Sequence, residues 1–264
     1  MDIQLPPKTR LMVEKYIKLK IGKYEINTPY FENFVRKKRI KRVFAGKGTP
    51  EEIQKTAINL FKSHGKNLYD FDPYQIRHYM LMASIGIDCS GFATNIIDTF
   101  LKEIYLGSIK KSLRPLKSSL FSYFRHHIRT YTNLSANTLT SLVNCIIIKD
   151  INRVLPGDFI RFGPSHIAII SSVDKFGNKV KKITYYHSTC DYFEQHGVRK
   201  GEIVITNSNK NLENQKWTEI LRGKNWSYQD YMSSESGERG IRRLKSISSK
   251  YPQELLEKLI VNFS

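Results

Sequence analysis

Asp88-Cys89-Ser90-Gly91 opens a run in which apolar residues recur at helical spacing, at Phe92, Ala93, Ile96, Ile97, Phe100, Leu101 and Ile104. No other stretch constrains the fold as much. An aspartate just before such a stripe is a good helix N-cap, which places Cys89 in the first turn of a helix buried along one face. Unsatisfied N–H groups and the helix dipole favour negative charge there, so the pattern predicts a thiol pKa lowered from roughly 8.5 toward neutrality. The alternative is a buried cysteine that serves only as a small hydrophobe.

The later half of the chain reads as sheet. Pro156-Gly157-Asp158 is a turn signal leading into Phe159-Ile160-Arg161-Phe162, and Gly163-Pro164 separates this from an apolar strand, His166 to Val173. A hairpin centred on Phe176-Gly177 returns through Ile183-Thr184-Tyr185-Tyr186-His187. That loop pairs residues whose numbers sum to 353, and His166 and His187 sum to 353. Directly opposed residues of an antiparallel pair project to one face, so the register predicts two adjacent imidazoles. The second would orient the first and fix its tautomer. A thiol at a helix start and an imidazole 77 residues later then suggest a cysteine nucleophile with a histidine base.

These residues carry a family resemblance. Asp88-Cys89-Ser90-Gly91-Phe92, then Leu155-Pro156-Gly157-Asp158-Phe159-Ile160-Arg161-Phe162, then Ser165-His166-Ile167-Ala168-Ile169, then His187-Ser188-Thr189 resemble, in that order, the NlpC/P60 superfamily of papain-like cysteine peptidases and amidases. The likeness covers roughly residues 50–206 and the late strand Gly240-Ile241-Arg242-Arg243-Leu244. It implies an α+β fold, with the nucleophile helix packed on an antiparallel sheet of five or six strands. It implies Cys89 as nucleophile, His166 as base and His187 as the third member, with no metal or other cofactor. Members commonly cleave peptide or isopeptide bonds in peptidoglycan stems. They often carry a tyrosine shortly before the cysteine that helps polarise the scissile carbonyl; Tyr69 and Tyr79 compete for that place, and Tyr69 is preferred. Backbone N–H groups at the helix start would hold the oxyanion, with Ser90 a further oxyanion or substrate-binding candidate.

Charge and composition frame the rest. The 264 residues carry 43 Lys and Arg against 24 Asp and Glu, a net charge of +19 that calls for an anionic partner such as a cell-wall polymer, a membrane surface or nucleic acid. Residues 1–48 hold much of it, with Arg36, Lys37, Lys38, Arg39, Lys41 and Arg42 nearly contiguous, and read as a basic N-terminal extension. Residues 104–149 contain no acidic residue and form a basic insertion between the two catalytic elements, where they could line the groove; the His126-His127 pair within them reads as solvated or helix-packed. The catalytic unit spans 49–250, opening at Thr49-Pro50-Glu51-Glu52 as a capping box, and residues 251–264 form a docking helix. Three widely spaced cysteines argue against a disulfide framework, and Cys145 reads as core. Cys89, His166, His187 and Cys190 could imitate a zinc set, but they lack a close-spaced ligand pair.

No stretch approaches the roughly 18 apolar residues of a membrane span, and no apolar signal core appears in the first thirty residues. The expected setting is therefore the cytoplasm, or export by a route the sequence does not display. Two other readings stay open: an intracellular thiol acyltransferase or amidase acting on a non-wall substrate, and a basic nucleic-acid-binding protein with a vestigial Cys-His pair. The second lacks a recognised reader motif and regular basic and aromatic interleaving.

Overall fold

The computed structural model describes residues 1–32, 41–116 and 130–262. The basic run Arg36 to Arg39 and the pair His126-His127 lie outside the described residues. The chain is α+β, with helices laid on one large antiparallel sheet. Ten strands are described: β1 Asp2–Gln4, β2 Leu19–Ile21, β3 Tyr24–Ile26, β4 Cys145–Ile148, β5 Phe159–Arg161, β6 Ile167–Phe176, β7 Lys179–Thr189, β8 Gly197–Val204, β9 Lys216–Trp217 and β10 Gly240–Leu244. Eight of them form the main sheet in the order β4-β10-β5-β6-β7-β8-β9, with β1 added beside β6. Five or six strands were expected. The additional ones are short segments at the sheet edges whose few residues carry no alternation readable in the sequence.

Four helices matter for the site: α1 Pro7–Ile17, α2 Pro50–Ser63, α3 Pro73–Met82 and α4 Cys89–Glu103. The capping box at Thr49 forms as its sequence implies, the Thr49 hydroxyl accepting from the Glu52 amide at 3.2 Å and the Glu52 carboxylate accepting from the Thr49 amide at 2.8 Å. Helix α4 buries Phe92, Ala93, Ile96, Ile97, Phe100 and Leu101 against β6, β7 and α1. The apolar stripe thus becomes the centre of the larger core. A second core of Phe162, Ile170, Tyr185, Trp217 and Tyr231 fills the opposite face of the sheet.

Residues 1–32 are built into this structure. β1 pairs with β6, setting Ile3 across from Val173, and Tyr16 packs edge-on to Phe92 with ring centroids 5.4 Å apart. The buried Tyr16 hydroxyl donates to the Gly48 carbonyl and accepts from Asn95 of α4, each at 2.8 Å. An aromatic ring with a satisfied hydroxyl in the core is a tether rather than an appendage.

The register of the β6–β7 hairpin departs from the expected one. Gly177 and Asn178 form its loop, Gly177 supplying a positive φ of 56°, and Phe176 faces Lys179 and Ile170 faces Tyr185, so paired numbers sum to 355. Between these pairs the strands each insert one unpaired residue, Ser171 on β6 and Lys181 on β7. One bulge shifts the side-chain parity and the second restores it. Carried onward, the register sets His187 across from Ala168, a diagonal step from His166 and on the same face.

Pro156-Gly157-Asp158 has a structural explanation. Gly157 adopts a φ of 90° against the Phe100 ring, and Asp158 takes both Nε and Nη2 of Arg243 in a bidentate pair at 2.6 and 2.8 Å. Both side chains are almost wholly buried, at 2% and 5% exposure. The pair therefore clamps β10 to the turn before β5. Removing one partner strands the other charge in the core, so Arg243→Met should lower unfolding free energy by roughly 3–5 kcal/mol in a urea titration.

Candidate active site

Cys89 stands at the first position of α4, where the Asp88 carboxylate accepts the Gly91 amide at 2.6 Å. A Cβ on Gly91 would collide with the Gly46 carbonyl, so glycine is what lets residues 46 and 47 lie on the helix start. That approach delivers Lys47. Its buried ammonium sits 2.7 Å from Asp88 Oδ1 and hydrogen-bonds the Ser90 hydroxyl, which in turn donates to Asp88 at 3.0 Å. The Ser90 side chain is thus engaged by both members of the Lys47–Asp88 pair.

The thiol is 6% exposed and donates to the Ser165 carbonyl at 3.4 Å, while the Ile167 amide supports the sulfur from the other side of His166. Burial, followed by the Asp88 charge, pushes the Cys89 pKa well above its ordinary value; Lys47 and the Ile167 amide oppose them without prevailing. The expected lowering toward neutrality is therefore overturned. Desolvation of the sulfur outweighs the helix dipole, which acts through partial charges and which the capping carboxylate partly offsets.

The two histidines meet. His166 Nε2 lies 2.8 Å from His187 Nδ1, and His187 Nε2 lies 3.2 Å from both oxygens of the Glu219 carboxylate. Arg199 Nε donates to that carboxylate at 2.9 Å, as do Ser227 at 2.7 Å and Tyr185 at 2.9 Å. Burial alone would raise Glu219, but His187, Ser227 and Arg199 outweigh it and hold the acid at about 2. An ionised carboxylate only accepts, so His187 carries its proton on Nε2 and presents the Nδ1 lone pair to His166. His166 then carries its proton on Nε2, which leaves Nδ1 as its basic nitrogen. Phe162 stacks on the His187 ring at 5.9 Å, with planes 5° apart, and holds it in place. Burial first, and repulsion from a protonated His187 second, lower the His166 pKa from its ordinary value of roughly 6.5 to about 3. At neutral pH the resting site accordingly pairs a thiol with a neutral imidazole.

Glu219 was missed by the sequence reading. It lies two residues beyond β9, and what brings it behind His187 is the pairing of Trp217 with Ile203 and of the Thr218 amide with the Glu202 carbonyl at 3.0 Å. No spacing in the chain announces that.

Among the described residues, neither of the two tyrosines expected near the cysteine, Tyr69 and Tyr79, forms a hydrogen bond or ring contact with Cys89 or His166. Tyr69 is 61% exposed beside Lys23, and Tyr79 is engaged with His64 and the Phe61 ring. The tyrosine that feels Cys89 is Tyr30: burial, then the Cys89 charge, then its hydrogen bond to Glu32 at 2.7 Å raise its pKa well above the ordinary value. Residues 29–31 run beside Ile87, with the Ile87 amide donating to the Pro29 carbonyl at 3.0 Å, and His196 Nδ1 accepts the Tyr30 amide at 3.1 Å. A segment read as an extension therefore supplies a side chain next to Cys89.

No protein-family profile, curated protein or solved structure matches the chain. Among the described residues, no group of three or more His, Cys, Asp or Glu side chains could hold a metal ion. None of the described helices is long and apolar enough to cross a membrane. Cys145 is core, as its context implies, and burial raises it to about 12; Cys190 is exposed beside Asp191. The described part of the basic insertion approaches the cysteine motif, since residues 132–135 share a cavity of about 140 Å³ with Lys47, Asp88 and Ser90.

Proposed function

We propose that the protein is a cysteine peptidase or amidase of the NlpC/P60 type that hydrolyses a peptide or isopeptide bond, with peptidoglycan stem peptides as its substrate class. The hydrogen-bonded series His166, His187, Glu219, together with a thiol at a helix N-terminus that donates to the carbonyl of Ser165, the residue before His166, carries this reading. A core histidine needs one partner. Two imidazoles aligned on one buried carboxylate form a proton path with a set direction, which general-base catalysis uses and packing does not require.

In the proposed reaction the thiol leaves the Ser165 carbonyl and passes its proton to His166 Nδ1 as the sulfur attacks the amide carbon. Amides at the start of α4 hold the developing oxyanion, with the Tyr30 hydroxyl near the same atom. His166 protonates the departing amine, and water hydrolyses the thioester. Because the base titrates near 3, kcat/KM should stay level from about pH 5 to about pH 8, with no inflection near the usual histidine value of roughly 6.5. A rate that instead rises through that value would assign the base to a different group.

Digestion of purified muropeptides in heavy-oxygen water, read by mass spectrometry, tests the reading and identifies the bond. Hydrolysis places one heavy oxygen on the new carboxylate. Acyl transfer to an added amine leaves none there, and intact substrate throughout would end the wall-peptide assignment.

A further inference from the structure

A cavity of about 330 Å³ opens at the β4–β10 side of the sheet, and none of Cys89, His166 and His187 lines it. Its apolar wall comprises Ile147, Ile151, Leu212, Tyr231 and Ile241. Arg242 also lines it, although only 3% of this residue is exposed. Its Nε has no hydrogen-bond partner, and its two terminal nitrogens reach only the Ile241 and Gly237 carbonyls, each at 3.4 Å. Gly240, at φ 123°, supplies a backbone conformation that side-chain-bearing residues rarely adopt, directly before Ile241 and Arg242. The guanidinium is therefore folded back onto the cavity wall formed by residues 237–241.

Its electrostatic surroundings make the arrangement costly. Arg161 faces Gly240 across the β5–β10 register, one diagonal step from Arg242 on the same side of the sheet, and is itself 6% exposed. Arg161 is satisfied by neutral groups, the Glu238 carbonyl, Asn137 and Thr140, and its charge acts against that of Arg242. Arg239 brings a third guanidinium to the rim, 3.9 Å from Glu213, the carboxylate that lines the cavity. Among the described residues no carboxylate forms an ion pair with Arg242. A buried cation without a counter-ion is strongly unfavourable unless something supplies the missing charge.

We propose that this cavity binds an oxyanion, carboxylate or phosphate, carried on an apolar body, with the anion on Arg242 and the body against the isoleucine wall. The volume is near the lower end for small-molecule sites, roughly 300–1,000 Å³, and suits a ligand of few heavy atoms. Arg239 completes the approach, and Glu213 favours ligands that keep their charge at the Arg242 end.

Calorimetric titration of the full chain with hexanoate, hexyl phosphate, acetate and 1-hexanol tests this, with methyl-resolved NMR to locate the contact. Hexanoate and hexyl phosphate should bind, acetate more weakly, and 1-hexanol not at all; which anion binds tighter separates the two headgroup sources. Shifts should fall on Ile147, Ile151 and Leu212. Arg242→Gln should weaken binding by roughly tenfold or more, yet melt at or above the wild type without ligand, because an unpaired buried charge has gone. Arg239→Gln should weaken binding less and provides the second readout if Arg242→Gln does not fold. Absence of binding by both amphiphilic anions, methyl shifts elsewhere, or unchanged affinity in both variants overturns the site. Cys89→Ala should bind as the wild type does, which keeps this outcome independent of the catalytic reading.

Discussion

Cys89→Ala should lower the release of stem-peptide fragments by roughly 10⁴-fold or more while leaving the fold intact. The sulfur is the proposed attacking atom, and no other described thiol can replace it: Cys145 is buried in β4, paired with Leu244 of β10, and Cys190 is hydrogen-bonded to Asp191. Structural cost should be small. The side chain is a small buried group whose hydrogen bond to Ser165 is long at 3.4 Å, and the helix cap rests on Asp88 and Lys47, both retained. Far-ultraviolet circular dichroism and melting should match the wild type, so a lost activity reads as lost chemistry. The same variant should abolish labelling of residue 89 by iodoacetamide, a reaction that in the wild type should be slow at neutral pH because burial keeps the thiol protonated. Fragment release persisting at even a tenth of the wild-type rate would remove Cys89 from the mechanism.

Glu219→Gln should lower kcat by about 10- to 100-fold with little change in KM, the signature of a group that acts through another. An amide in this place no longer obliges His187 to carry its proton on Nε2, so the direction of the His166–His187 hydrogen bond is no longer set. It also leaves Arg199 without the carboxylate it now meets at 2.9 Å. A structural role alone predicts lost stability with unaltered tautomers. The positioning role predicts that nitrogen-resolved NMR of the imidazoles finds a mixed tautomer for His166 in the variant and a single one, protonated on Nε2, in the wild type. Glu219→Asp, which keeps the charge, should recover more activity than glutamine. An unaltered tautomer in Glu219→Gln would assign this carboxylate to packing.

Much of the candidate site's geometry was legible because it is local or depends on parity. The cap at Asp88 and the stripe from Phe92 to Ile104 are short-range features whose physics needs no partner. The joint placement of the two histidines followed from strand alternation, even though the loop lies one residue later and two bulges intervene, because their effects on parity cancel. Had only Ser171 or only Lys181 been inserted, the rings would face opposite sides of the sheet. Nothing in the residues near either bulge announces it.

Long-range features were illegible for a common reason. Glu219, Lys47 and Tyr30 reach the site from segments separated from it by sheet registers and backbone approaches, so no periodicity relates them to Cys89 or the histidines. The thiol pKa went astray for the same cause: the helix start is a local fact, whereas burial of the sulfur is set by everything that packs around it.

Neighbouring residues alone specify the helix that bears Cys89 and the antiparallel strands that bear His166 and His187, since caps and alternation are local properties. Packing between distant segments set the two cancelling bulges that keep the rings on one face, the direction in which protons are held along that series, the protonated state of the resting thiol and the integration of residues 1–32. Each depends on charge and desolvation between segments far apart in the chain, which exist only once those segments are packed together.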